Sequence, residues 1–160
     1  MDEVTKSLPD IAKDIAHTPI EFVREIILEV ERQMRARPDA VGPEAFVTRH
    51  HFAPGTYARE IELPAGSRVV GKIHRESHVN VISKGHCLVA TPDGGVEELC
   101  APFTFISAPG TKRVVWALAD TVWTTIHANP ANVTDLDKLE AQLISPTFEA
   151  LAADPPPLLE

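Results

Sequence analysis

Histidines and glycines in the segment from Gly66 to Gly85 have the spacing of a metal pocket in a small β-barrel. His74 and His78 are four residues apart, where one predicted strand ends and the next begins, and His127 ends a later predicted strand. Three imidazoles from two hairpins can meet inside one barrel and leave open positions on a metal ion, as catalytic sites do. The sequence therefore predicts a divalent metal site, with iron, zinc, nickel or manganese as candidate ions.

Four further side chains are candidates for binding a ligand at this pocket: Lys72, Arg113, Glu60 and Tyr57. The two cations favour a small anion such as a carboxylate, a sugar phosphate or a nucleotide. They also oppose a bound dication unless an anion offsets their charge, so a pocket without metal is the alternative. Tyr57 and Arg59 share one face of their strand and Glu60 has the other, and the sequence leaves open which face lies inside.

The remaining histidines and both cysteines are assigned structural roles. The histidines in this group are His17, His50, His51 and His86. Cys87 and Cys100 are too few for a disulfide scaffold or a four-thiolate zinc site. With Pro92–Gly95 as a four-residue hairpin loop, Thr91 pairs with Val96 and the two cysteines lie opposite each other. In a reducing cytosol both are expected to be small apolar fillers.

Length and charge narrow the class of protein. The chain has 160 residues, 44% of them hydrophobic, and this suits one compact domain with appendages. A formal net charge of −8 argues against nucleic acid or an anionic membrane as a partner. The acidic N-terminus has no basic leader, and no apolar run approaches the length of a bilayer span. A cytoplasmic protein is expected.

The clearest predicted helix covers residues 19–36. Its apolar positions recur at alternating steps of three and four, and they are Ile20, Val23, Ile27, Val30 and Met34. Thr18 and Glu21 suit a capping box at its start. The stripe predicts packing against the body of the domain or against a twofold mate. A shorter helix at 8–17 and a linker at 36–45 flank it.

From residue 46 to residue 127 the pattern changes to short β-rich runs divided by turn residues. The runs are 46–52, 56–63, 67–74, 79–83, 86–91, 96–100, 103–108, 112–118 and 121–127. This spacing predicts an antiparallel sandwich or barrel. A hairpin between the last two runs would place His127 opposite Lys112 or Arg113 and, at one register, pair Trp116 with Trp123.

The segment 131–153 is predicted to form a C-terminal helix, with Thr134 and Asp137 as start signals. Three consecutive prolines then predict a loose tail. The predicted organisation is an N-terminal helical segment and linker at 1–45, a barrel at 46–130, the helix at 131–153 and the tail at 154–160.

The glycine and histidine spacing resembles the first motif of single-domain cupins. That motif runs glycine, five residues, histidine, one residue, histidine, three or four residues, glutamate, six residues, glycine. In this chain Gly66 and Gly85 take the glycine positions and His74 takes the second histidine. Lys72 stands at the first histidine position and His78 at the glutamate position, so the spacing is kept while two ligands change.

The second cupin motif is matched less closely. It runs glycine, five residues, proline, one residue, glycine, two residues, histidine, and its nearest match is FTFISAPGTKR. Pro109 and Gly110 are adjacent there, and Arg113 falls near the histidine position. The usual ligand of this motif is therefore replaced, and His127 on the following strand is the substitute that the resemblance suggests.

Several longer sequence segments also resemble those of a group of short cupin-like proteins of tailed bacteriophages and prophages. They are YARE, PAG, GKIH, NVISKG, FTFISAPGTKR and DTVWTTIHAN, between His50 and Pro130. The resemblance implies a mainly β fold, a single-domain cupin jelly-roll (double-stranded β-helix, RmlC-like) with flanking helices, in a phage or prophage setting. It implies no established reaction.

Three functions remain open from the sequence. The first is a metal enzyme acting on a small polar substrate that Lys72 and Arg113 steer. The second is a metal-free module that binds a small anionic metabolite or nucleotide, in a phage regulatory or counter-defence role. The third is a structural protein that self-associates through the helix at 19–36. A homodimer is expected, because small jelly-rolls often cover a sheet edge or face with a second copy.

Overall fold

The computed structural model describes residues 20–91 and 95–153, which form two β-sheets with helices on the outside. Helix α1 spans Ile20–Ala36 and a short 3-10 turn follows at Pro43–Ala45. The predicted helix at 8–17, the predicted cap at Thr18 and the predicted tail at 154–160 lie outside the described residues. None of the helices in the described part combines the length and apolarity needed to cross a membrane.

Ten strands follow α1, in the places where the β-rich runs predicted them. They are β1 Thr48–Ala53, β2 Gly55–Leu63, β3 Arg68–Val70, β4 Ile73–His74, β5 His78–Lys84, β6 His86–Thr91, β7 Gly95–Cys100, β8 Phe103–Ser107, β9 Val114–Ala117 and β10 Thr121–Asn129. The C-terminal part contains helix α2 Leu136–Leu143, strand β11 Ile144–Ser145 and helix α3 Phe148–Ala153.

The strands form two facing sheets in which all paired strands are antiparallel. One sheet has five strands in the order β1-β2-β10-β5-β8, and the other has four in the order β3-β9-β6-β7. Strands β4 and β11 form a separate two-stranded ladder. Neighbours in each sheet are mostly not consecutive in the chain, because β5 to β6 and β9 to β10 cross between the sheets. This is jelly-roll connectivity.

Apolar side chains from the inner faces of both sheets meet at one end of the barrel. This apolar end consists of Leu63, Ile82, Cys87, Val89, Leu99, Val115, Ala117 and Trp123, all buried. Alternation along each strand directs these residues inward and their sequence neighbours outward.

Helix α1 covers the outer face of the four-stranded sheet. Val23 and Ile27 are 0% exposed and pack against Ala90 and Val114. The helical stripe therefore packs against the body of its own domain, which was one of the two predicted alternatives, and its central residues are not available to a twofold mate.

The β6–β7 hairpin corrects the predicted pairing of the cysteines. Thr91 pairs with Gly95, which has a φ of +72°, so the register differs by one residue from the prediction. Cys100 lies opposite His86, and Cys87 lies opposite Leu99. Because side chains alternate along a strand, a register shift of one residue places the two cysteines on opposite faces of the sheet. Cys87 is therefore in the core, where burial raises its pKa to about 11, while Cys100 is exposed.

Strands β9 and β10 are not a hairpin, and this corrects two further predictions. Trp116 pairs in register with Arg68 and Leu88 in the four-stranded sheet, whereas Trp123 belongs to the five-stranded sheet. The two tryptophans therefore do not form a cross-strand pair. His127 lies opposite Tyr57 rather than opposite a cation.

The predicted helix at 131–153 is wrong as one continuous element. It is divided into α2 and α3 by β11, which pairs with β4 so that Ile144 lies opposite His74. Ser145 precedes Pro146, and a residue before proline disfavours helical backbone. The cap of α2 is Asp135, whose carboxylate accepts from the backbone N–H groups of Asp137 and Lys138.

Candidate metal and anion site

The three histidines predicted as metal ligands lie together at the other end of the barrel. Their ring centroids are 4.1 Å apart for His74 and His78, 4.8 Å for His78 and His127, and 5.2 Å for His74 and His127. His78 is 3% exposed and His127 is 6% exposed. We call this cluster the histidine triad, and the part of the barrel around it the histidine end.

The five-stranded sheet and the β4–β11 ladder position the triad. His78 begins β5 and His127 lies near the end of β10, the neighbouring strand, so both face the interior from one sheet. His74 ends β4, and its backbone is held by the ladder with Ile144 of β11. The C-terminal segment that the sequence assigned to a plain helix therefore holds the third histidine in place.

Gly85, the second motif glycine, is required by the close approach of two chain segments. Its φ is +100°, and an added Cβ would lie 2.5 Å from the carbonyl oxygen of Asp120 and from Cα of Thr121. Only glycine fits this position without moving backbone. The glycine thus allows β5 to turn into β6 beside the start of β10.

The hydrogen bonding of His78 fixes its tautomer. Nδ1 of His78 lies 3.2 Å from the carbonyl oxygen of Glu76, which can only accept, so Nδ1 carries the proton. Nε2 then carries the lone pair, and it is buried without a hydrogen-bond partner among the described residues. A buried polar atom of this kind is a marker of a site that takes a ligand.

The triad is neutral near pH 7. Burial, with the fields of the other two histidines and of Arg113 and Arg59, lowers the pKa of His74 to about 2. Burial lowers the pKa of His127 to about 4, and it lowers the pKa of His78 despite the opposing bond to a backbone carbonyl. Neutral imidazoles are the form that binds metal.

The triad brings rings together without placing all its nitrogens in coordination geometry. The rings of His74 and His127 are only 16° from parallel. Three other donor side chains do have their ligand atoms within 4.8 Å of one another, and among the described residues no other such group occurs. They lie on the four-stranded sheet and are His86, Glu98 and Cys100. Coordination of one ion by all three triad histidines therefore requires their rings to rotate.

Tyr57, one of the predicted ligand-binding residues, lies against the triad. It is 5% exposed, and its ring stacks on His127 with centroids 6.1 Å apart. Its hydroxyl is 2.7 Å from Nδ1 of His50, and burial raises its pKa, so the phenol is protonated at neutral pH. Because Tyr57 faces inward, Arg59 shares that face by alternation.

Arg113, also a predicted ligand-binding residue, lies in the layer between the two ends of the barrel. Its guanidinium donates to Oδ1 of Asn80 at 3.3 Å and to Oγ of Ser107. It also lies over the rings of Phe105 and Trp123, 5.4 and 5.6 Å from their centroids. Hydrogen bonds and cation–π contacts thus hold a positive charge beside the triad.

Lys72 and Glu60, the other two predicted ligand-binding residues, lie elsewhere. Lys72 lies just before β4, so the alternation of side chains along that strand does not direct it inward. Its side chain is exposed, and its ammonium group donates to the carboxylate of Glu140 in α2 at 2.5 Å. Glu60 is on the outer face of β2, 2.9 Å from Arg49. Neither side chain joins the triad.

Asn80 is a site residue that the sequence analysis missed. It is 0% exposed, donates to Oγ of Ser107 at 2.8 Å and accepts from Nε1 of Trp123 at 3.0 Å. A signal was present, because Asn80 is two residues after His78 and shares its strand face. A polar residue on the inner face of an apolar strand is typical of a site.

Comparison with known proteins gives a likeness in structure. No protein-family model matches the sequence, and no curated protein sequence matches it. Salicylate 1,2-dioxygenase from Pseudoaminobacter salicylatoxidans, in its gentisate adduct, matches with a TM-score of 0.51 at 14% identity, over 79% of this chain and 36% of that chain. A cupin superfamily protein from Desulfitobacterium hafniense DCB-2 matches with a TM-score of 0.45 at 8% identity, over 52% of this chain and 76% of that chain.

The chain has a cupin-like jelly-roll fold. KdgF from Halomonas sp. is a further match, with a TM-score of 0.46 at 16% identity, over 56% of this chain and 84% of that chain. The predicted fold class, a mainly β cupin-like jelly-roll with flanking helices, is confirmed. At such identities the likeness shows the cupin fold alone, and the phage setting stays a prediction.

Proposed function

We propose that this cupin barrel binds a divalent metal ion at His74, His78 and His127 and a small anion beside it. The observation that carries the proposal is Nε2 of His78, a buried lone pair without a partner among the described residues. Leaving such an atom unsatisfied costs about 1–3 kcal/mol. A metal ion offsets that cost, and the bond from Nδ1 to a backbone carbonyl is the usual support for a ligating histidine.

The donor set fits a borderline transition metal. Three neutral imidazoles suit iron, zinc, nickel or manganese and leave positions for water or a ligand. A bound ion would supply Lewis acidity at the histidine end. The protein's own residues would orient the ligand, since the ring of Tyr57 stacks on His127.

Two guanidinium groups support an anionic ligand. The charges of Arg113 and Arg59 both lower the pKa of His74, so both act on the triad. Two cations beside a bound dication repel it unless an anion lies among them. We therefore assign the anion to Arg113 and Arg59, in place of the predicted pair of Lys72 and Arg113.

A metal-free receptor for a small anion is the second candidate function. The same two arginines favour it, because they face neutral histidines that can donate hydrogen bonds to an anion. Salicylate and gentisate, named for the dioxygenase of similar fold, are suitable probe carboxylates for either candidate.

The metal proposal is tested by elemental analysis of protein purified without chelators. We expect His78→Ala to lose one equivalent of metal relative to wild type, because Nε2 of His78 is the buried lone pair that the ion would take up. His51→Ala is the matched control, since His51 is exposed and lies on the outer face near Glu60. Equal metal content in all three proteins would reject the triad as a metal site. His127→Ala repeats the test if His78→Ala does not fold.

The anion proposal is tested by calorimetric titration of metal-free and metal-loaded protein with salicylate, gentisate and inorganic phosphate. Arg113→Met keeps an unbranched side chain and removes the guanidinium charge, and we expect it to weaken binding of the anion about tenfold or more. Arg59→Met is the second variant. Arg49→Met, on the outer face, should bind as wild type. Binding to metal-free protein alone would favour the second candidate.

A homodimer and a cytoplasmic location remain predictions. The outer face of the five-stranded sheet carries half-buried Val79 and Ile126 next to Ile106, which is 66% exposed. We propose that a second copy packs there, since the stripe of α1 is already buried. Ile106→Lys should give a monomer in sedimentation, and Leu28→Lys on α1 should not. A monomeric wild type at micromolar concentration would refute the dimer.

A further inference from the structure

The four-stranded sheet carries a second group of donor side chains, away from the histidine triad. His86, Glu98 and Cys100 each offer one ligand atom, and these atoms lie within 4.8 Å of one another. We propose that this cluster, which we call the thiolate site, binds a thiophilic divalent metal ion such as zinc.

The register of β6 and β7 creates the thiolate site. His86 lies directly opposite Cys100, so their Cβ atoms are about 5 Å apart. Glu98 is two residues before Cys100 and shares its strand face. The predicted register, shifted by one residue, would have placed Cys87 opposite Cys100 and left His86 outside the pair.

The backbone beneath the site is fixed. The carbonyl oxygen of His86 accepts from the N–H groups of Leu118 at 2.8 Å and Ala119 at 3.2 Å. The next residue after Cys100, Ala101, donates its N–H to the carbonyl oxygen of Gly85 at 3.0 Å. Only side-chain torsions have to adjust when an ion enters, so little ordering of backbone opposes binding.

The chemistry of the three donors selects the metal. Nε2 of His86 and Oε1 of Glu98 are 2.5 Å apart, so an entering ion replaces the hydrogen bond between them. Together with the thiolate of Cys100, the carboxylate gives two negative charges that balance a divalent ion, while the imidazole stays neutral. Sulfur and nitrogen donors favour zinc or cobalt over magnesium or calcium.

The site is accessible and independent of the triad. The side chains of His86 and Glu98 are 33% and 60% exposed, and Cys100 is exposed on edge strand β7. Helix α1 covers the same outer face of the sheet further along β6, at Ala90, and leaves the thiolate site open. The triad faces the opposite side, inside the barrel, so the two sites take ions separately.

Cobalt(II) titration of the full chain tests the proposal, because a thiolate ligand gives a sulfur-to-cobalt charge-transfer absorption that an all-histidine site lacks. We expect this absorption in wild type and in Cys87→Ala, which removes the buried thiol. We expect its loss in Cys100→Ser and binding about tenfold weaker or more in Glu98→Gln. Excess magnesium should not compete.

A second readout uses the reactivity of the thiol. Zinc should protect Cys100 from alkylation by iodoacetamide in wild type and in His78→Ala, and protect it far less in His86→Gln. Absence of the charge-transfer band in wild type, its persistence in Cys100→Ser, or unprotected alkylation would each overturn the thiolate site. None of these results bears on metal bound at the triad, whose loss is measured with His78→Ala.

Discussion

The two ends of the barrel are buried to the same extent, but one is lined by apolar side chains and the other by imidazoles. Ile82 and Trp123 at the apolar end are 0% and 5% exposed, and His78 and His127 at the histidine end are 3% and 6% exposed. The apolar end removes hydrocarbon from water, which is the main stabilising term in folding. The histidine end leaves Nε2 of His78 without a partner among the described residues. Burial alone thus does not distinguish the two ends, whereas the chemistry of their buried side chains does.

A polar layer separates the two ends. Asn80 accepts from Trp123 of the apolar end and donates to Ser107, which also accepts from Arg113. The layer is hydrogen-bonded and anchors the cation that acts on the triad. The apolar end therefore serves as the rigid support of the histidine end.

The largest expected effect lies at the apolar end. Ile82→Ala removes a fully buried side chain from the packed cluster, and we expect it to lower the free energy of unfolding by about 2–5 kcal/mol. Urea denaturation measures the loss. A loss well below this range would mean that the apolar end is loosely packed, which removes the contrast between the ends.

The second expected effect is acid sensitivity of the histidine end. In the unfolded chain the histidines take up protons as the pH falls below about 6.5. In the folded protein the pKa is about 2 for His74 and about 4 for His127, so both stay neutral until the pH is much lower. The unfolded state therefore binds more protons between pH 6.5 and 4, and stability falls with pH in that window by about 1 kcal/mol per pH unit for each group.

Denaturation of metal-free protein at pH 7, 6 and 5 checks this dependence. His74→Phe removes one of the titrating groups, and its stability should fall less steeply with acid than that of wild type. Equal slopes in the two proteins would show that His74 is not held neutral by its surroundings.

The third expected effect is a gain of stability at the histidine end. His78→Phe keeps a flat ring and removes the buried nitrogen that lacks a partner among the described residues, so metal-free protein should gain about 1 kcal/mol in unfolding free energy. The same variant should lose metal. Destabilisation by several kcal/mol, comparable to Ile82→Ala, would instead make His78 an ordinary core residue.

The smallest expected effect is at Lys72. The side chains of Lys72 and Glu140 are both exposed, so their ion pair is weak and Lys72→Met should change the free energy of unfolding by less than about 1 kcal/mol. It should leave metal and anion binding unchanged, unlike Arg113→Met. A loss of anion affinity equal to that of Arg113→Met would return Lys72 to the ligand site.

The strands and the closeness of His74 to His78 could be predicted from the sequence because both depend on local spacing, whereas the place of His127 beside them depends on the pairing of β10 with β5. Alternating apolar residues and turn residues predict where β1 to β10 lie, and the four-residue step from His74 to His78 places both at strand ends. The glycine at Gly85 added a constraint that the structure explains by a close backbone approach.

Register and sheet membership could not be predicted in the same way. The pairing of His86 with Cys100 depends on a loop one residue shorter than expected, and the separation of Trp116 from Trp123 depends on a crossover between sheets. Both are set by packing of distant segments. The outward position of Lys72 likewise depends on a break before β4 that no local pattern marks.

Anomalous diffraction from crystals grown with the metal found in the purified protein tests the central claim most directly. We expect an anomalous peak at the histidine end, about 2 Å from Nε2 of His78, with the rings of His74 and His127 turned toward it. Data that show metal elsewhere and none at the triad, with Nε2 of His78 still unpartnered or bonded to water, would contradict it.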